Sequence, residues 1–99
     1  MPVALSTNLD DPESYPYFLW DDPMRVRELR ERLASASEPE RVRLLATILR
    51  EARDTEVWKF TTLDEVLSHW PAIRLQLGRR RGFWEWLFAE WRRGGLLGR

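Results

Sequence analysis

Cysteine is absent from this 99-residue chain, which removes disulfides, thiolate nucleophiles and cysteine-ligated metals from consideration. Histidine occurs once, at His69, too few for a histidine-built metal site. No apolar run approaches the roughly 18 residues of a membrane span. The opening MPVALSTNLDDPE has neither the basic start nor the apolar centre of a signal peptide, so the expected location is cytoplasmic, away from membranes. All five glycines fall at Gly78 or later, so no glycine-rich loop is available to cradle phosphate. Internal repeats and low-complexity segments are also missing. What is left, 43% hydrophobic and 32% charged with no net charge, describes one small domain with room for a single core.

Two biases stand out in what is present. Six tryptophans (Trp20, Trp58, Trp70, Trp84, Trp86, Trp91) are many for this length. Each has a large apolar ring and one N–H that needs a partner when buried, and a small domain seldom hides six. Some are therefore expected to face another molecule. The neutral total also conceals an uneven distribution. Residues 1–23 carry five acids and no base, while residues 79–99 hold six arginines against Glu85 and Glu90. The chain is dipolar, with an acidic arm and a basic end.

Prolines 2, 12, 16 and 23 interrupt residues 1–23 and push their predecessors towards extended geometry. Within this arm, Tyr15-Pro16-Tyr17-Phe18-Leu19-Trp20 packs four aromatics into six positions, which implies docking, either on the chain's own helices or on a partner. Asp22-Pro23 has the pattern of a helix start, and Met24, Val26, Leu29, Leu33 and Ala36 form the following stripe. Ser37-Glu38-Pro39-Glu40 is a capping box opening a second helix, with Val42, Leu45, Ile48, Leu49 and Ala52 at helical steps. Residues 56–61 (EVWKFT) are the only strand-like piece. Thr62-Leu63-Asp64-Glu65 starts a short helix that Pro71 stops or restarts, and Gly78 marks a helix end. The last helix is expected over about Arg80 to Arg93, closed by Gly94-Gly95. The sequence therefore predicts an all-α fold: an extended aromatic-acidic arm over 1–23, a bundle of four to five helices over 24–95, and a tail over 96–99.

Catalysis finds little support. His69 and Glu65 stand one helical turn apart, a routine ion-pair spacing. Asp10-Asp11-Pro12-Glu13 and Asp21-Asp22 could grip a magnesium ion, but acids in an arm are ordinarily solvated or capping. No enzyme, cofactor or metal is expected. The stretch Gly78-Arg79-Arg80-Arg81-Gly82-Phe83-Trp84 says more. Three arginines at the positive end of a helix are disfavoured by the helix dipole, so an anion should offset them. The chain's own acidic arm, an acidic partner and nucleic-acid phosphate are the candidates. The Glu85 and Glu90 carboxylates on the same helix argue against an anionic lipid surface.

Three segments bear a resemblance: YFLWDDPM (Tyr17 to Met24), LLATILREARDTEVWKF (Leu44 to Phe60) and LGRRRGFWEWL (Leu77 to Leu87). Through them the run from Tyr17 to Leu97 resembles a group of small bacterial proteins encoded beside nucleotidyltransferase toxins of the abortive-infection type, a setting of phage defence. The resemblance implies an antitoxin-side or accessory protein whose partner is the toxin. It supplies no catalytic residues, and the winged-helix DNA-binding part of other antitoxins has no clear counterpart here. The expected role is a non-enzymatic protein–protein interaction module, with Arg79, Arg80 and Arg81 engaging partner carboxylates. Tyr17, Phe18, Trp20, Trp84 and Trp91 are its expected apolar anchors. The alternatives are a small nucleic-acid-binding regulator using the same arginines, or a self-associating homodimeric scaffold.

Overall fold

The second helix organises the protein. In the computed structural model, which describes residues 3–95, it runs over Glu38–Glu51 and buries Val42, Leu44, Leu45, Ala46, Ile48 and Leu49. Ser37 caps it as expected, its hydroxyl accepting from the Glu40 N–H, with Pro39 in the first turn. A helix buried over so broad an arc must be covered from several sides. The first helix, α1 (Val26–Ser35), lies against α2 (Glu38–Glu51) after a two-residue connection. The short helices α3 (Leu63–Ser68) and α4 (Trp70–Ile73) follow, and the long α5 (Arg80–Arg93) lays Trp84 and Phe88 into the core. The architecture is all-α, a small bundle of five helices.

The N-terminal arm supplies the remaining cover. Its aromatic part folds back on the chain's own helices, with Leu9, Phe18 and Leu19 inside the same core as α2. Two residue pairs, Leu5–Ser6 (β1) and Tyr15–Pro16 (β2), form a minimal parallel ladder that closes the arm into a loop. That loop changes where α1 begins. The Val26 and Arg27 N–H groups donate to the Ser14 and Pro12 carbonyls at 2.9 and 3.0 Å. The Glu28 carboxylate accepts from the Arg25 N–H at 3.0 Å. These partners satisfy donors that a helix start leaves open. The expected start at Asp22-Pro23 is thus displaced to Val26, and Arg25 at the cap is extended (φ −72°, ψ 159°).

The strand-like residues 56–61 take another form. Val57–Lys59 form a 3-10 turn, not a strand. Val57 is fully buried and Trp58 packs edge-on against Trp84 at 5.9 Å. Burial of these two side chains dictates the tight turn.

The later signals hold. The Thr62 hydroxyl caps α3 by accepting from the Glu65 N–H at 3.2 Å. Pro71 sits in the first turn of α4, and a 3-10 turn over Arg74–Gln76 leads to Gly78, whose φ of +54° suits a residue without Cβ. Gly94 and Gly95 close α5. The tail over 96–99 lies outside the described residues.

Candidate interaction surface

The core explains four of the six tryptophans. Trp84 is fully buried, and its indole N–H donates to the Leu49 carbonyl at 2.9 Å. Leu49 lies in the last turn of α2, where carbonyls lack helical partners. The amide that could have reached it, Arg53 N–H, instead donates to the Tyr17 hydroxyl at 2.9 Å. Trp84 therefore finishes α2 from another helix. Trp58 meets it edge-on and in turn packs against Trp91, and Trp70 meets Phe88 edge-on at 5.0 Å. Two tryptophans remain outside: Trp20 at 60% exposure and Trp86 at 57%.

This sorting revises the expected anchors. Phe18 and Trp84 are core residues and present no surface to a partner. Trp91 is half-buried against Trp58 and Phe88. Tyr17 is half-buried too and fastens the arm, its hydroxyl donating to the Glu56 carboxylate while accepting from Arg53 N–H. Burial, and then the bond to Glu56, hold its phenol above the usual tyrosine range. Only Trp20 among the expected aromatic anchors is open to solvent.

The arginine cluster separates into three environments. Arg80 folds over the rings of Phe83 and Trp84, 4.6 and 5.9 Å from their centroids. A cation over an aromatic face is stabilised without an anion. Arg81 pairs with Glu85 one turn on at 3.0 Å, and Glu85 also lies 3.9 Å from Arg74. Arg79 is exposed and has no ion pair among the described residues. The acidic arm does not neutralise this cluster. Its carboxylates go to Lys59 (Asp10, 3.1 Å) and to Arg25 and Arg27 (Glu13, 3.3 and 2.8 Å), with Asp22 4.0 Å from Arg43. Asp11 accepts from the Glu13 N–H. Among the described residues no three His, Cys, Asp or Glu side chains come together as a metal site. His69 forms the joint between α3 and α4, its N–H held by the Glu65 and Val66 carbonyls.

Sequence reasoning passed over Leu75, 75% exposed, and did not separate Trp86 from its buried neighbours. A usable signal existed for both. On α5, a residue two places from the buried Trp84 lies on nearly the opposite side. Leu75 likewise stands midway between the fully buried Ile73 and Leu77.

Polar contacts flank each of Trp20, Leu75 and Trp86. The Trp20 indole N–H reaches the Glu51 carboxylate at 3.4 Å, and Glu51 accepts from Arg50 at 2.9 Å. Arg50 also donates to the carbonyl of Gln76, next to Leu75, at 2.9 Å. Arg74, on the other side of Leu75, approaches Glu85, the neighbour of Trp86. Beside Trp20 in sequence, Leu19 and Leu44 floor a groove of about 200 Å³. Asp21 and Asp22 line one part of the groove, Arg43 and Arg50 another. Among the described residues no helix is long and apolar enough to cross a membrane. No family model, curated protein or solved structure matches the chain.

Proposed function

We propose that this chain is a non-enzymatic protein-interaction module and that Trp20, Leu75 and Trp86 are its anchors. The observation that carries the reading is that these three large apolar side chains stay exposed, at 60%, 75% and 57%, while the other four tryptophans pack into or against the core. Large apolar side chains held in a charged frame have the composition of a binding hot spot, where tryptophan and arginine are enriched. In this reading the partner receives the two indoles in apolar recesses and presents carboxylates to Arg79 and Arg81. Tyr17, Phe18, Trp84 and Trp91 act behind the surface, as the packing that fixes the anchors.

The partner class comes from the resemblance: a nucleotidyltransferase toxin, with this chain on the antitoxin or accessory side, in the bacterial cytoplasm. Inhibition would then be steric and electrostatic, by a folded body seated on the toxin. The test is capture of the tagged full-length chain from the cell that encodes it, followed by mass spectrometry. One stoichiometric partner with a nucleotidyltransferase fold is expected. A different stoichiometric protein would refute the partner class, and nucleic acid alone would refute the module.

A further inference from the structure

We infer that the groove floored by Leu19 and Leu44 binds a free α-amino acid with an apolar side chain of medium size. This ligand is additional to the partner of the proposed interface and does not depend on it. One wall of the groove is a stripe of α2. Arg43, Thr47 and Arg50 follow one another at steps of four and three residues and so share a helix face. Asp21 and Asp22, on the arm, line the groove as well. Beneath them Leu19 and Leu44 are almost wholly buried and present an apolar floor. The charged groups differ in how far they are committed. Arg50 donates to the Glu51 carboxylate and to the Gln76 carbonyl, both at 2.9 Å, and so serves as a fixed wall. The Arg43 guanidinium makes no hydrogen bond among the described residues. Its nearest carboxylates are Glu40 at 3.6 Å and Asp22 at 4.0 Å. The carboxylates of Asp21 and Asp22 accept no hydrogen bond among the described residues either, and Asp21 has no ion pair there.

A donor fork and an acceptor thus stand side by side over an apolar floor without satisfying each other. An α-amino acid is their complement, because its carboxylate and its ammonium sit on one carbon. Laid head to head, the ligand carboxylate takes the Arg43 fork in a bidentate pair. Its ammonium then donates to Asp22 and Asp21. Thr47 adds an acceptor, since its hydroxyl already donates to the Arg43 carbonyl at 3.0 Å and keeps only lone pairs to offer. The ligand side chain runs over Leu19 and Leu44. A simple anion would leave the two aspartates facing it, and a simple cation would leave Arg43, whereas a zwitterion answers both signs. The volume of about 200 Å³ lies below the roughly 300–1,000 Å³ of pockets for drug-sized ligands. That suits one amino acid and excludes a longer peptide.

Isothermal titration calorimetry of the full-length chain tests this, with L-leucine, L-methionine, L-phenylalanine, N-acetyl-L-leucine and L-leucinamide as probes. Saturable binding of at least one of the three amino acids at millimolar concentration or below is expected, with amide NMR shifts centred on Asp22 and Thr47. Each blocked leucine lacks one charge-assisted pair and is expected to bind about tenfold more weakly or worse. This ligand series reads both charges on the wild type, without any variant. Asp21→Asn with Asp22→Asn, and separately Arg43→Gln, are expected to keep the wild-type circular dichroism and to lose affinity by a similar factor. No saturation by any of the three amino acids would overturn the inference. N-acetyl-L-leucine binding as tightly as leucine would overturn it in favour of a peptide C-terminus, and leucinamide doing so in favour of an N-terminus. Folded variants that bind leucine as the wild type does would overturn the site.

Discussion

Replacing Trp84 by phenylalanine should unfold this protein far more readily than the same change at Trp86, two residues away. Trp84 is fully buried, and its N–H is the partner of the Leu49 carbonyl. Phenylalanine leaves that carbonyl buried and unpaired, a loss of about 1–3 kcal/mol. It also leaves a void of roughly 40 Å³ where the five-membered ring had been, worth about 1 kcal/mol. Together these come to about 2–4 kcal/mol, a large part of the stability usual for a domain of this size. The expected fall in Tm is roughly 10–30 °C. Trp86 is 57% exposed and donates no hydrogen bond among the described residues, so Trp86→Phe should change stability by about 0.5 kcal/mol or less. Urea denaturation followed by far-ultraviolet circular dichroism is the suitable assay, since six tryptophans confuse fluorescence. A Trp84→Phe loss below about 1 kcal/mol would refute the assignment of Trp84 as the residue that completes α2.

Three further outcomes follow from the same contacts. Gly82→Ala should raise stability by roughly 0.5–1 kcal/mol, because a Cβ there meets nothing within 4 Å and glycine is poor inside a helix; thermal denaturation reads this directly. Gly78→Ala should do the opposite by about 1 kcal/mol, since its φ of +54° strains any residue with a Cβ. Tyr17→Phe should weaken the arm by about 1–2 kcal/mol through loss of the bridge between Glu56 and Arg53, seen as faster proteolytic cleavage within residues 1–23. The pH dependence has a definite sign. The folded-state value of Tyr17 lies above its ordinary 10.0, so its contribution is complete below pH 10 and is lost as pH rises through the raised value. Urea midpoints measured into the alkaline range should fall for the wild type and stay flatter for Tyr17→Phe.

The helices whose ends are written in local chemistry were legible without a structure. Ser37 with Pro39, Thr62 with Glu65, and the Gly78 and Gly94-Gly95 stops each act within a few residues, so α2, α3 and α5 fall where spacing puts them. The start of α1 was not legible, because the carbonyls that cap it belong to Pro12 and Ser14, and only the folded arm brings them there. Residues 56–61 did not declare their form for a related reason: β-branched and aromatic residues suit a strand, and Val57–Lys59 carry them in a tight turn instead. Among the expected anchors, Trp20 is exposed, whereas Phe18 and Trp84 are buried. The last helix is apolar over so broad an arc that periodicity alone does not choose its inner face. That choice was made at long range, by the unpaired Leu49 carbonyl drawing in the Trp84 N–H. Trp86 was turned outwards as a consequence.

The proposed function requires Trp20, Leu75 and Trp86 to form one interface. Its most direct test compares the tagged wild-type chain with a Trp20→Ala, Leu75→Ala, Trp86→Ala triple variant, both expressed in the native cell and purified gently. All three side chains are largely exposed, so the variant should retain the wild-type circular dichroism spectrum and a similar Tm. The wild type is expected to retain its bound protein, and the folded variant to retain none. A folded variant that keeps its partner in full would contradict it.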